Sequence, residues 1–191
     1  QDEKPDFVFH LAAQALVRKS YADPLLTWST NVMGTVNVLD SLRKLDKNCT
    51  AIVITSDKCY DNVEWIWGYR EHDRLGGPDP YSASKGSAEL AINSYIRSYF
   101  NENSNIGICS ARAGNVIGGG DWSEDRIIPD CVKAWSQNQK VTLRNPHSTR
   151  PWQHVLEPVC GYLRLGNALY EDNKLHGEAF NFGPNTNEDQ S

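Results

Sequence analysis

At 191 residues, with 39% hydrophobic and 23% charged side chains, the chain has the balance of a globular unit, enough for one sizeable domain or one and part of another. Its formal net charge of −5 excludes broad electrostatic attraction to nucleic acid or an anionic membrane, and no apolar run approaches the roughly 20 residues that span a bilayer. The five cysteines (Cys49, Cys59, Cys109, Cys131, Cys160) are scattered without a CxxC pair, which argues against a disulfide framework or a metal site and fits a reducing cytoplasm.

Taken in chain order, apolar spacing switches between short runs and helical periodicity. Phe7–Phe9 reads as a buried strand after the turn signal Pro5-Asp6. Apolar residues from Trp28 through Val32, Val36, Leu39, Leu42 and Leu45 predict a helix, and the β-branched run Ala51–Ile54 a central strand. A loop rich in Trp, Gly and Pro leads to Pro80, followed by a helix from about Ser82 to Phe100 and a strand over Ile106–Arg112. Beyond a glycine-rich loop come a shorter helix marked by Ile127, Ile128, Cys131, Val132 and Trp135, and a strand candidate at Val141–Leu143. Pro158 suits the first turn of a helix through Leu169, and Ala179–Phe182 reads as a last strand.

Alternating strands and helices predict an α/β fold with a doubly wound parallel sheet covered on both faces. The expected division is 1–115, a partial Rossmann-like dinucleotide-binding part with the catalytic residues, and 116–191, mostly a smaller substrate-binding region with a strand near 179–183 returning to the sheet. The chain opens on Gln1 just ahead of a strand and stops just after one, so a fragment is expected.

Tyr81-Ser82-Ala83-Ser84-Lys85 places a phenol and an ammonium four residues apart, on one helix face. A cation there favours phenolate and predicts a general base, although a lone YxxxK also occurs on solvated helices. Ser56, Asp57 and Lys58 directly follow a buried strand, where open α/β sheets bind ligands; a turn that merely ends the strand reads equally well.

The ordered set HLAAQ, TNVMGTVNVL, TSDKCY, YSASK and ARAGNVIGGGDW resembles the extended short-chain dehydrogenases that act on nucleotide sugars, over nearly the whole chain. With Lys at position 58, and with WGYRE and TRPWQHVLEP, it is similar to the 4,6-dehydratases of that family that take CDP-glucose. The resemblance implies bound NAD and a catalytic set of Ser56, Asp57, Lys58, Tyr81 and Lys85. Tyr81, supported by Lys85 and Ser56, would take the 4-hydroxyl proton; Lys58 would take the C5 proton while Asp57 protonates the departing C6 hydroxyl. A Lys base must first lose its own proton, and the alternative is that Lys58 only pairs with Asp57.

By the same resemblance Leu11, Ala12, Ala13, Gln14, Asn31, Tyr81 and Lys85 line the cofactor site, and Asn115, Asp121, Trp122, Arg126, Arg144 and Arg150 the substrate site. Trp152 and His154 read more readily as core and structural residues than as ligands. No GxGxxG or GxxGxxG occurs, so the loop for the cofactor pyrophosphate is expected outside these residues, and tight NAD binding is not expected from this stretch alone. A homodimer is also implied. The competing readings are an epimerase, a dehydratase for another nucleotide sugar, and an inactive binding or assembly module.

Overall fold

β-branched and small residues dominate the central strands, and the sheet they form is parallel throughout. The structure, a computed structural model, describes residues 3–101, 104–143 and 146–184. Its strands are β1 (Phe7–His10), β2 (Cys49–Ile54), β3 (Ile106–Ala113), β4 (Val116–Ile117), β5 (Gln153–His154) and β6 (Ala179–Phe182). The main sheet has the order β1-β2-β3-β6, with Val8 opposite Ala51, Ala51 opposite Ile108, and Arg112 opposite Asn181. β4 and β5 form a separate two-stranded parallel ladder.

Strand alternation sorts the core into two layers. Ala51, Val53, Ile106 and Ile108 meet Leu39 and Leu42 of α3 (Gly34–Leu42), Ile92 of α4 (Pro80–Tyr99), and Phe100. Ile52, Cys109, Ala111 and Ala113 face the other way, against Tyr162, Leu165 and Leu169 of α6 (Leu156–Glu171). The sheet is thus covered on both faces, as the alternation of elements predicts, and the last strand does return to it beside β3.

Several local expectations need correction. Two short helices, α1 (Val17–Ala22) and α2 (Pro24–Trp28), precede the expected helix, which continues from α2 through a π-helical turn at Ser29–Met33 into α3. Its start is set by Asp23, whose side chain accepts from the Leu26 N–H at 3.0 Å, with Pro24 in the first turn. It ends at Leu42, not Leu45. Val141–Leu143 is not a strand; the small ladder outside the main sheet is built from β4 and β5 instead. α5 (Ile127–Ser136) falls where the periodicity puts it. α6 starts two residues before Pro158, where the Leu156 N–H donates to His154 Nδ1 at 3.3 Å. Among the described residues no helix is long and apolar enough to cross a membrane.

Candidate active site

The carboxyl end of β2 delivers the first group. Ser56, in extended backbone, caps a 3₁₀ turn at Asp57–Cys59: its Oγ accepts from the Lys58 N–H at 3.2 Å and donates to Asp57 Oδ1 at 3.0 Å. Burial pushes the Asp57 carboxyl above its usual range, against the pull of Lys58, Ser56 and Arg150. The half-buried Lys58 lies on the wall of a cavity described below.

α4 delivers the second. Asp79 caps it through the Ser82 N–H at 3.0 Å and Pro80 occupies the first turn, which moves its start ahead of Ser82. The Tyr81 N–H, left without an intrahelical partner there, donates to Ser20 Oγ of α1 at 3.2 Å, and that hydroxyl donates to Val17 O at 2.6 Å. Gly86 lets the helix approach closely: a Cβ there would lie 3.1 Å from Gly76 O and 3.2 Å from Cys59 O, both backbone. Tyr81 and Lys85 are consequently 8% and 6% exposed. Such burial reverses one expectation. The Tyr81 phenol is held above its usual range by desolvation, with Asp57 and Asp79 adding to the rise and Ser56 and Arg126 opposing it. Burial acts on the ammonium as well and brings Lys85 down to about 8. Most buried polar groups have a hydrogen-bond partner, and among the described residues the buried side-chain nitrogens without one are Arg112 Nε and Arg126 Nε, not the Lys85 amine.

The segment after β1 carries the expected cofactor residues. Leu11 and Ala12 are exposed and Ala13 is half-buried, a ledge of small and apolar groups at the carboxyl end of the edge strand. Gln14 and Asn31 behave differently, because their side chains are committed to the protein. Gln14 Nε2 donates to Thr27 Oγ1 at 2.8 Å and Gln14 Oε1 accepts from the Leu16 N–H at 2.7 Å. Asn31, in the π turn, accepts from the Gln14 N–H at 2.8 Å and donates to Gln14 O at 3.1 Å and to Ser84 Oγ at 2.9 Å. It braces the ledge against α4.

A cavity of about 650 Å³ opens beside these groups, and its wall includes Lys58, Asn115, Asp121, Trp122, Arg126 and Arg150. Five of the six expected substrate residues are thereby brought together; Arg144 lies outside the described residues. Arg126 Nε is 3.5 Å from Asp121 Oδ2, and Arg18 of α1 pairs with Asp125 at 3.0 Å. Trp152 also lines the cavity, whereas His154 is exposed and bonds the start of α6. Sequence reading missed Arg18, Ser20, Glu89 and Arg112. The last two form a buried ion pair at 2.7 Å between α4 and β3, and nothing in their spacing distinguishes them from solvated charges.

A parallel sheet covered on both faces, with serine, tyrosine and lysine gathered beyond the carboxyl ends of its strands, defines a Rossmann-type protein of the short-chain dehydrogenase class. The chain belongs to the GDP-mannose 4,6 dehydratase family, whose model matches residues 1–178. It is 54% identical over 185 residues to CDP-glucose 4,6-dehydratase of Salmonella typhimurium, covering 95% of this chain and 52% of that protein. CDP-paratose 2-epimerase of Salmonella typhi is 27% identical over 202 residues, covering 94% of this chain and 57% of its own. The chain spans about half the length of these curated relatives. Among solved structures, dTDP-glucose 4,6-dehydratase of Streptomyces venezuelae, with NAD and DAU bound, superposes at a TM-score of 0.79 with 22% identity, over 93% of this chain and 52% of the other, a likeness of fold.

Proposed function

We propose that the full-length protein is an NAD-dependent hydro-lyase that converts CDP-glucose to CDP-4-keto-6-deoxyglucose. The observation that carries this reading is that the Ser56–Asp57 turn meets the Tyr81 phenol of α4, while the adjoining Lys58 lies on the wall of a cavity lined by arginine, Asn115 and Trp122. Identity of 54% to a CDP-glucose 4,6-dehydratase supports the substrate. In this reading residues 1–115 supply the cofactor ledge and the chemistry, and residues 116–191 mostly recognise the nucleotide sugar.

The residues present fit a dinucleotide. The Lys85 ammonium, a three-donor group one turn along α4 from Tyr81, suits ribose hydroxyls, and the Leu11–Ala13 ledge admits a ring to the backbone. Bound NAD would supply a hydride acceptor and donor within the site. The chain's own work is proton transfer and orientation. Tyr81 takes the proton of the sugar 4-hydroxyl; because burial raises its phenol, the compensation offered by Ser56 and Arg126 matters. Once C4 is a ketone, the hydrogen on C5 is acidic, and Lys58 removes it. Asp57, raised by burial and therefore able to hold a proton, gives that proton to the C6 hydroxyl, which leaves as water. Arg126 and Arg150 offer planar forks for the pyrophosphate. Asp57 and Lys58 together favour a dehydratase over an epimerase, which needs only the tyrosine and lysine. A cytoplasmic homodimer, paired through the α4 face that exposes Leu90, Ser94 and Arg97, completes the proposal.

The test is turnover of CDP-glucose by the full-length protein with NAD⁺, read by the absorbance of the 4-keto-6-deoxy product in alkali. Product is expected, with kcat reduced by about 10²-fold or more in Lys58→Met. Turnover of dTDP- or GDP-sugars alone would overturn the base assignment, and silence on all of them would overturn the activity.

A further inference from the structure

The face of α4 that carries Tyr81 and Lys85 continues one turn further to Glu89, since residues 81, 85 and 89 are spaced four apart. Glu89 is 4% exposed, a burial that a carboxylate tolerates only with full hydrogen bonding. It has that. One oxygen accepts from Thr55 Oγ1. The other accepts from Ser110 Oγ at 3.0 Å and from the Arg112 guanidinium at 2.7 Å. Arg112 in turn donates to Tyr60 Oη at 2.8 Å and to Glu71 O at 2.7 Å, and Tyr60 Oη bonds Asn181 Oδ1 of β6 at 2.7 Å.

The place of these partners matters more than their number. Thr55 immediately precedes Ser56, Asp57 and Lys58, while Glu89 lies one turn beyond Lys85. The contact between them therefore joins the two halves of the proposed acid–base machinery, which arrive on separate elements and are far apart in sequence. We propose that Glu89 is a positioning residue: its carboxylate locks the end of β2 at Thr55 to the catalytic helix, fixing the gap between the Ser56–Lys58 turn and the Tyr81–Lys85 pair, and it keeps the charge of Lys85 balanced from within the helix. The inference rests on the functional reading of this site and deepens it.

The surroundings of Lys85 leave that charge role to Glu89. The groups that face Lys85 are Tyr81 and Glu89 on its own helix, Cys59 from the turn after β2, and His10 from β1. Cys59 is held neutral by burial, its thiol pushed up to about 12, and His10 is pushed towards its neutral form by burial and by Lys85. Glu89 is the carboxylate among them, and it favours the charged ammonium against desolvation. Arg112, paired to it, prevents an excess of negative charge behind the site.

The experiment compares Glu89→Gln and Thr55→Val with the parent in the full-length protein, reading kcat, KM, melting temperature and the Lys85 Nζ titration by ¹⁵N NMR. Glu89→Gln should lower kcat roughly 10-fold with KM within about 2-fold, and move the Lys85 midpoint down by about one pH unit. Thr55→Val, which keeps the ion pair, should lower kcat by roughly 3- to 10-fold with the melting temperature and the Lys85 midpoint near the parent's. Parent-like kcat in Thr55→Val, or an unmoved Lys85 midpoint in Glu89→Gln, overturns the proposal. Should the parent fail to turn over CDP-glucose, the functional reading falls by itself, and the Lys85 midpoint in Glu89→Gln still decides this one.

Discussion

Charged groups occupy two sides of this site in opposite ways. Between α4 and β3, Glu89 and Arg112 are 4% and 5% exposed and both Glu89 carboxylate oxygens are bonded. Across the cavity, Arg18 and Asp125 pair with side chains 63% and 36% exposed, and Arg126 and Asp121 are similarly open. The difference suits the proposed function: proton transfer would need groups held in place and stripped of water, whereas recognition of a phosphorylated ligand would need cations that stay hydrated and adjustable until the ligand arrives.

Removing one partner on the buried side should have the largest effect. Arg112→Met leaves the Glu89 carboxylate uncompensated in the core and is expected to cost about 3–5 kcal/mol of stability, measured by denaturant unfolding. A shift within 1 kcal/mol would show that the buried side is no more demanding than the open one.

Lys85→Met should separate stability from function. Because folding lowers Lys85 from 10.5 to about 8, the native state binds fewer protons than the unfolded state between those values, so stability rises as pH increases through that window. At pH 7 the buried ammonium costs on the order of 3 kcal/mol, and the Met variant should recover much of it while losing about 10²-fold or more in kcat. Unfolding at pH 7 and pH 10 checks both the gain and the flattening of the pH slope. The smallest effect belongs to the open side: Arg18→Ala should change stability by less than about 0.5 kcal/mol, because an exposed pair gains little over its hydrated ions. The same unfolding assay decides it.

The sheet and the Tyr81–Lys85 spacing were legible from the amino-acid order because they leave local marks. Phe7–Phe9, Ala51–Ile54, Ile106–Arg112 and Ala179–Phe182 are apolar runs of strand length, and Tyr81 with Lys85 has helical spacing next to a Pro and an Asp. α1 left none: Val17–Ala22 is six residues with a single buried side chain, Ser20, so no apolar stripe can form. The β4–β5 ladder is two residues long, shorter than any periodicity, and Val141–Leu143 had the composition of a strand without an edge to join. Ser20, Glu89 and Arg112 were invisible for a different reason. A polar side chain looks the same in sequence whether it meets water or a distant partner, and these three bond partners 23 or 61 residues away.

The π turn at Ser29–Met33 has a consequence for how that helix can vary. Thr27, Asn31 and Thr35 are all buried and all bond the segment from His10 to Leu16, at intervals of four residues. In an unbroken α-helix each such interval drifts by about 40° around the axis, so three residues in a row would wind away from their partners. The wider turn takes up the drift and keeps the polar row straight, while Leu39 and Leu42 still reach the core. Trimming one residue from the turn would restore a regular helix and misalign everything on one side of the cut by about a quarter of a revolution. The segment thus acts as a phase adjuster: point substitutions on its outer face leave the register untouched, but a change of length by one cannot.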